Sequence, residues 1–62
     1  MLKLIWNIDS NGTTVFLAVL DEQEVMSWTL PGGIGWETLI NQWNIFVRCI
    51  PDALVQWREM RG

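Results

Sequence analysis

One carboxylate, Asp9, is the side chain that raises the first chemical question in this 62-residue chain. Asp9 ends an apolar segment near the N-terminus. Carboxylate oxygens are ligands that Mg²⁺ accepts, and a pair of such ions can support attack on a phosphate. Asp9 therefore has two interpretations, a metal ligand or the first residue of a hairpin turn. The turn is favoured, because Ser10, Asn11 and Gly12 all suit a tight reversal of the chain.

The remaining reactive residues do not combine into a catalytic site. The chain has no histidine, so neither a Ser-His nor a Cys-His pair exists. Its single cysteine, Cys49, excludes an internal disulfide and a cysteine-based zinc site. The acids Asp21, Glu22 and Glu24 cluster in one turn, and Glu37 suits the first turn of a helix. The sequence therefore predicts no enzyme activity for the isolated chain and no cofactor.

Charge and length limit the partners and the setting. The net charge is −3, and the four basic residues are scattered, so the monomer lacks a patch that would follow a nucleic-acid backbone. No segment approaches the ~20 apolar residues of a membrane span, and the N-terminus lacks a signal-peptide pattern. These features predict one small cytoplasmic domain over residues 1–62 that has no membrane partner and that, as a monomer, is not expected to bind nucleic acid.

Three segments of the chain are typical of strands. Residues 2–9 alternate between apolar and mixed positions, residues 13–20 are apolar on both faces, and residues 25–30 form a third apolar run. Turn-forming residues separate the first two segments, and the charged residues 21–24 separate the second from the third. Two successive hairpins predict a three-stranded antiparallel meander.

Residues 36–50 have the period of an amphipathic helix packed on one face of that sheet. Trp43 lies in the middle of the apolar stripe and is expected between helix and sheet. Ile45 and Cys49 lie off the stripe, four residues apart. They are either a stray exposed pair or a contact point for another chain. Pro51 is predicted to end the helix. The apolar stripe comprises positions 36, 39, 40, 43, 46, 47 and 50.

Residues 53–60 fit two structures. Alternation of Val55 and Trp57 with polar neighbours indicates a strand, whereas Leu54 and Trp57 among good helix formers indicate a second helix. The strand is favoured. The predicted class is therefore α+β, with the element order β-β-β-α-β.

This order resembles the opening half of the ribonuclease H-like fold, in its Holliday-junction-resolvase branch. The residues compared are "LIWNIDSNGTTVFLAVLD" and "IPDALVQWREM". The resemblance implies a fourth strand beside the first, with Asp9 and Glu59 as carboxylate ligands of Mg²⁺. The family's further carboxylates come from a C-terminal helix that follows this half, so these residues alone do not complete a two-metal site.

Two functions follow from these observations. The favoured one is a small, acidic, tryptophan-rich module that binds another protein or a copy of itself, because tryptophan is a frequent anchor at interfaces. Ile45 and Cys49 are its candidate contacts, and a sheet edge is the other. The alternative is a truncated or split nuclease half-domain that needs a partner to complete its metal site.

Overall fold

The computed structural model describes residues 1–61, so Gly62, the last residue of the predicted domain, lies outside the described residues. The predicted α+β class, the antiparallel meander and the helix on one face of the sheet are confirmed. Strand order in the sheet is β1-β2-β3, with both neighbouring pairs antiparallel. The elements are β1 Leu2–Ile8, β2 Thr14–Leu20, β3 Gln23–Leu30 and α1 Trp36–Arg61.

Two short turns set the register of the meander. The first lies between Ile8 and Thr14, which pair across β1 and β2. The second is a two-residue turn in which both Asp21 and Glu22 have positive φ, 50° and 68°. Positive φ at both central residues is the geometry of a type I′ hairpin, whose twist matches that of the strands. The predicted turn at 21–24 is therefore shorter than expected, because residues 23 and 24 already belong to β3.

The prediction of a fourth strand over residues 53–60 is wrong, and so is the prediction that the helix ends at Pro51. Helix α1 continues through Pro51 to Arg61. The apolar stripe explains this, since Ile50 is buried and Leu54, four residues later, packs against the core. Because these contacts need a helical period, tertiary packing outweighs the missing amide hydrogen at residue 51. The end of the helix is attached to the sheet by Arg61, whose Nη1 donates a hydrogen bond to Oε1 of Gln23.

The core lies between α1 and one face of the sheet. Cross-strand partners share a face, so Trp6, Phe16 and Trp28 point toward the helix together. Phe16 and Phe46, one from β2 and one from α1, are fully buried. The buried apolar side chains are Phe16, Ala18, Leu30, Leu39, Phe46 and Ile50.

The indole of Trp6 connects β1 to the helix. It stacks on Trp36 and on Trp43, with ring centroids 5.4 and 5.3 Å away and interplanar angles of 27° and 28°. Trp36 and Trp43 are two helical turns apart, a rise of about 10.5 Å, which leaves room for one ring between them. Trp43 also meets the edge of Phe16 at 4.9 Å and stacks on Phe46 at 5.6 Å. The predicted position of Trp43, between helix and sheet, is confirmed.

Helix α1 does not cover the sheet evenly. It approaches β2 and β3, whereas its link to β1 is made by the tryptophan side chains. Three apolar residues of the predicted stripe consequently stay exposed: Trp36, Ile40 and Val47. On β1, the residues Leu4 and Ile8 point to the helix side and are exposed as well. The β1 side of the helix–sheet layer is therefore open.

We predict that Pro51→Ala stabilises the fold. Alanine restores the amide donor for the Val47 carbonyl. It also replaces a residue that is up to about 3 kcal/mol less favourable than alanine inside a helix. Urea unfolding followed by far-UV circular dichroism measures the gain, with Asp52→Ala, an exposed neighbour, expected to stay within about 0.5 kcal/mol of the original. A less stable Pro51→Ala variant would show that the proline supports the packing of Leu54.

We predict that Trp43→Ala lowers the free energy of unfolding by about 3 kcal/mol, because it removes the ring that contacts Trp6, Phe16 and Phe46 together. Trp36→Ala is the matched control. Trp36 stacks on the same Trp6 indole but is 66% exposed, so its removal should cost only about 1 kcal/mol. Equal losses in the two variants, measured by denaturant unfolding, would contradict this account of the aromatic cluster.

Candidate functional site

Asp9 is held in a turn by its own side chain. Its Oδ1 accepts hydrogen bonds from the backbone N–H groups of Asn11, at 2.8 Å, and Thr13, at 3.0 Å. Its carbonyl oxygen accepts from the N–H of Gly12 at 3.1 Å, and Gly12 has φ 81°. A short acidic side chain that bonds the backbone two residues later is the usual device of such turns. The arrangement is the one expected of a turn residue.

The structure does not bring Asp9 and Glu59 together. Glu59 is exposed in the last turns of α1, and Arg61 of the same segment bonds to Gln23, at the start of β3. Asp9 follows the far end of β1, which pairs with the start of β2. The two carboxylates are therefore separated by about the length of a strand, roughly 20 Å. Within residues 1–61, no group of three or more Asp, Glu, His or Cys side chains converges on one point.

One exposed ion pair connects the N-terminus of the chain, which precedes β1, to the turn between β2 and β3. The Met1 ammonium donates to Oδ1 of Asp21 at 2.8 Å. This hydrogen bond and the positive charge of the ammonium lower the pKa of the Asp21 carboxyl below its usual value. The stabilisation is present above that usual value and is lost as the pH falls through the lowered pKa. Because both groups are exposed, the contribution is small.

Ile45 and Cys49 lie on the side of α1 away from β1. Ile45 is exposed, and Cys49 is half-buried in a groove between α1 and β3. Val25, Met26 and Trp57 also line this groove. The two candidate contacts thus lie on the β3 side of the helix, where Ile45 is about as exposed as Leu4 and Ile40. No helix formed by residues 1–61 has the length and hydropathy needed to cross a membrane.

A second exposed apolar surface lies at β1, which is one of the two sheet edges that the sequence offered as a candidate contact without distinguishing them. We call it the β1 patch. Its strand residues are Leu2, Leu4 and Ile8, and its helix residues are Trp36, Ile40 and Val47. All six are exposed, between 37% and 66%. The sequence carries a partial signal. The apolar stripe of the helix has seven positions, which is more than a three-stranded sheet covers here, so Trp36, Ile40 and Val47 stay exposed.

The two edges of the sheet differ. At β3 the register shifts between Ala18 and Val19, so Val25 has no partner, and the neighbouring Glu24 adds a charge. A bulge and a charge are devices that discourage pairing of an edge strand with another chain. Strand β1 has a continuous register from Leu2 to Ile8 and a single charged residue, Lys3. Each edge strand thus carries one charge, and the bulge is the protection that β3 has and β1 lacks.

We predict that Asp9→Asn leaves the stability within about 0.5 kcal/mol of the original, because the amide oxygen can accept the same bonds from Asn11 and Thr13. Asp9→Ala removes both bonds and should cost about 1 kcal/mol. Thermal melts with and without Mg²⁺ test the charge separately. A rise in melting temperature with Mg²⁺ that disappears in Asp9→Asn would identify Asp9 as a metal ligand.

No family model, curated protein or solved structure matches the chain. The ribonuclease H-like resemblance therefore stays a prediction, and the segment compared with that family's fourth strand is helical here. The β1 patch and the continuous, bulge-free β1 edge are the features of residues 1–61 from which we infer a function.

Proposed function

We propose that the chain is a small, non-catalytic protein-binding module, which associates with another protein or with a copy of itself. The observation that carries this proposal is the β1 patch. Apolar side chains of β1 are exposed there, and so are those on the side of the helix whose Trp36 stacks on Trp6 of β1. Contiguous apolar surfaces of this kind are typical of interaction sites.

The face of the sheet away from the helix supports the same function. The sheet is also open on the face away from α1, where Ile5 is exposed and Leu17, its partner on β2, is half-buried. A central strand that is apolar on both faces is typical of sheets covered on both sides. A partner chain would supply the missing cover.

The position of the tryptophans indicates which surface is best suited to be an anchor. Trp36 is exposed and already oriented by its stack on Trp6. A rigid aromatic side chain loses little conformational freedom on binding, which is why such residues often dominate interface energies. The Ile45 and Cys49 pair is the smaller candidate, because Cys49 is half-buried and Ile45 is the one exposed apolar side chain of the two.

A pairwise capture experiment tests this function. The tagged chain is compared with a double variant, Leu4→Ser and Ile40→Ser, which lowers the apolar character of the β1 patch without touching the buried core. Extracts of the source cells are passed over both, and bound proteins are quantified. We expect one protein, the chain itself included, to be retained near equal stoichiometry by the original and lost from the variant.

The control is Ile45→Ser, a similarly exposed apolar residue on the other side of α1. It should retain the same protein as the original chain. Loss of binding only in Ile45→Ser would move the contact to the predicted Ile45 and Cys49 surface. Equal background retention by all variants would contradict a protein-binding function.

A further inference from the structure

The free edge of β1 presents a defined set of backbone groups. The N–H of Asp9 donates to the carbonyl of Thr13 at 2.9 Å, so Asp9 belongs to a hydrogen-bonded pair with β2. Hydrogen-bonded and non-bonded pairs alternate along antiparallel strands. The odd-numbered residues of β1 therefore bond to β2, and the even-numbered ones direct their N–H and C=O groups outward. The outward set is Leu2, Leu4, Trp6 and Ile8.

The order of apolar and polar side chains along β1 is the same from either end of the strand. The segment "LKLIWNI" has the order apolar, polar, apolar, apolar, apolar, polar, apolar, centred on Ile5. An antiparallel strand that pairs with a second copy of itself places each residue opposite its mirror position. A palindromic order therefore places apolar residues opposite apolar ones and polar residues opposite polar ones. This suits a two-fold interface, which must be complementary to itself.

We infer that the partner of β1 is the β1 strand of a second copy, paired antiparallel about Ile5. The inference rests on the proposed protein-binding function and names its partner. In this register Leu2 lies opposite Ile8 of the second copy, Leu4 opposite Trp6, and Ile5 opposite Ile5. The product is a six-stranded antiparallel sheet. Both helices lie on the same face of it, since directly opposite residues share a face.

The register agrees with the backbone and with the charges. It pairs even-numbered residues with even-numbered ones, so all of the outward N–H and C=O groups find partners. Lys3 lies opposite Asn7 of the second copy and diagonal to Asp9, so no like charges face each other and one opposite charge is near. Shifting the strands by two residues places Ile5 opposite either Lys3 or Asn7, which loses the apolar match.

The interface is narrow, so the association is expected to be weak. One added strand pairing buries less surface than a standard protein–protein interface, which places the complex among transient ones. We expect the mass to rise from 7.2 kDa toward twice that value between roughly 1 μM and 1 mM protein. Sedimentation equilibrium over this range measures the change.

A charge-exchange pair tests the register. Ile5→Lys and Ile5→Glu each place like charges directly opposite in the dimer, so each variant alone should associate about tenfold more weakly or worse. An equimolar mixture of the two should recover association, because opposite charges then meet at the same position. Ile45→Lys is the matched control, since Ile45 is 43% exposed and Ile5 39%, and it should associate like the original chain.

Amide hydrogen exchange of the unmodified chain gives a test that needs no variant. The N–H groups of Leu4, Trp6 and Ile8 should exchange more slowly as protein concentration rises, whereas edge amides of β3 should not change. A chain that stays monomeric to 1 mM would overturn the inference. Association with no protection of these three amides, or a mixture of Ile5 variants that stays monomeric, would overturn the register and leave the protein-binding function standing.

If the purified chain is monomeric but the capture experiment retains a different protein on the β1 patch, the second copy is excluded as the partner and the proposed function survives. If capture also fails, both are overturned. Dimers that pack through the open sheet face would also be weakened by Ile5→Lys, but they would leave the edge amides of Leu4, Trp6 and Ile8 unprotected. That result would also contradict edge pairing.

Discussion

The fold depends on the contact between the Trp6 indole and two tryptophans of α1. The Trp6 ring stacks on both Trp36 and Trp43, which are two helical turns apart. Trp43 also contacts Phe16 and Phe46 in the core. A chain of this size buries only about 60% of its unfolded surface, so a few large rings must supply much of the apolar burial. The aromatic cluster is what allows one helix to hold a sheet of three strands.

The same arrangement leaves β1 incompletely covered. Because α1 lies against β2 and β3, the helix can reach β1 only through its longest side chains, and Leu2, Leu4 and Ile8 remain exposed. The β3 side differs, because its register is interrupted by a bulge and the helix lies beside it, with an open groove between them. The asymmetry of the two edges thus follows from where the helix lies, and it makes β1 the side available to a partner.

Local patterns in the sequence were enough to predict the meander, because alternation and turn residues act over a few positions. The turn at Asp9 followed from its neighbours in the same way. Pro51 misled the prediction, since a local rule for helix ends competes with the packing of Ile50 and Leu54, which depends on the sheet. The β1 patch could not be predicted, because exposure of Ile40 and Val47 depends on the lateral position of α1. Even so, the palindromic order of residues 2–8 was readable from the sequence alone.

The central claim is that the exposed β1 strand is completed by a second copy of the chain. The most direct measurement is the melting temperature of the unmodified chain as a function of its own concentration. Association of folded chains stabilises them by mass action, so the account predicts a melting temperature that rises steadily between roughly 1 μM and 1 mM protein. A melting temperature that is constant across this range would contradict it.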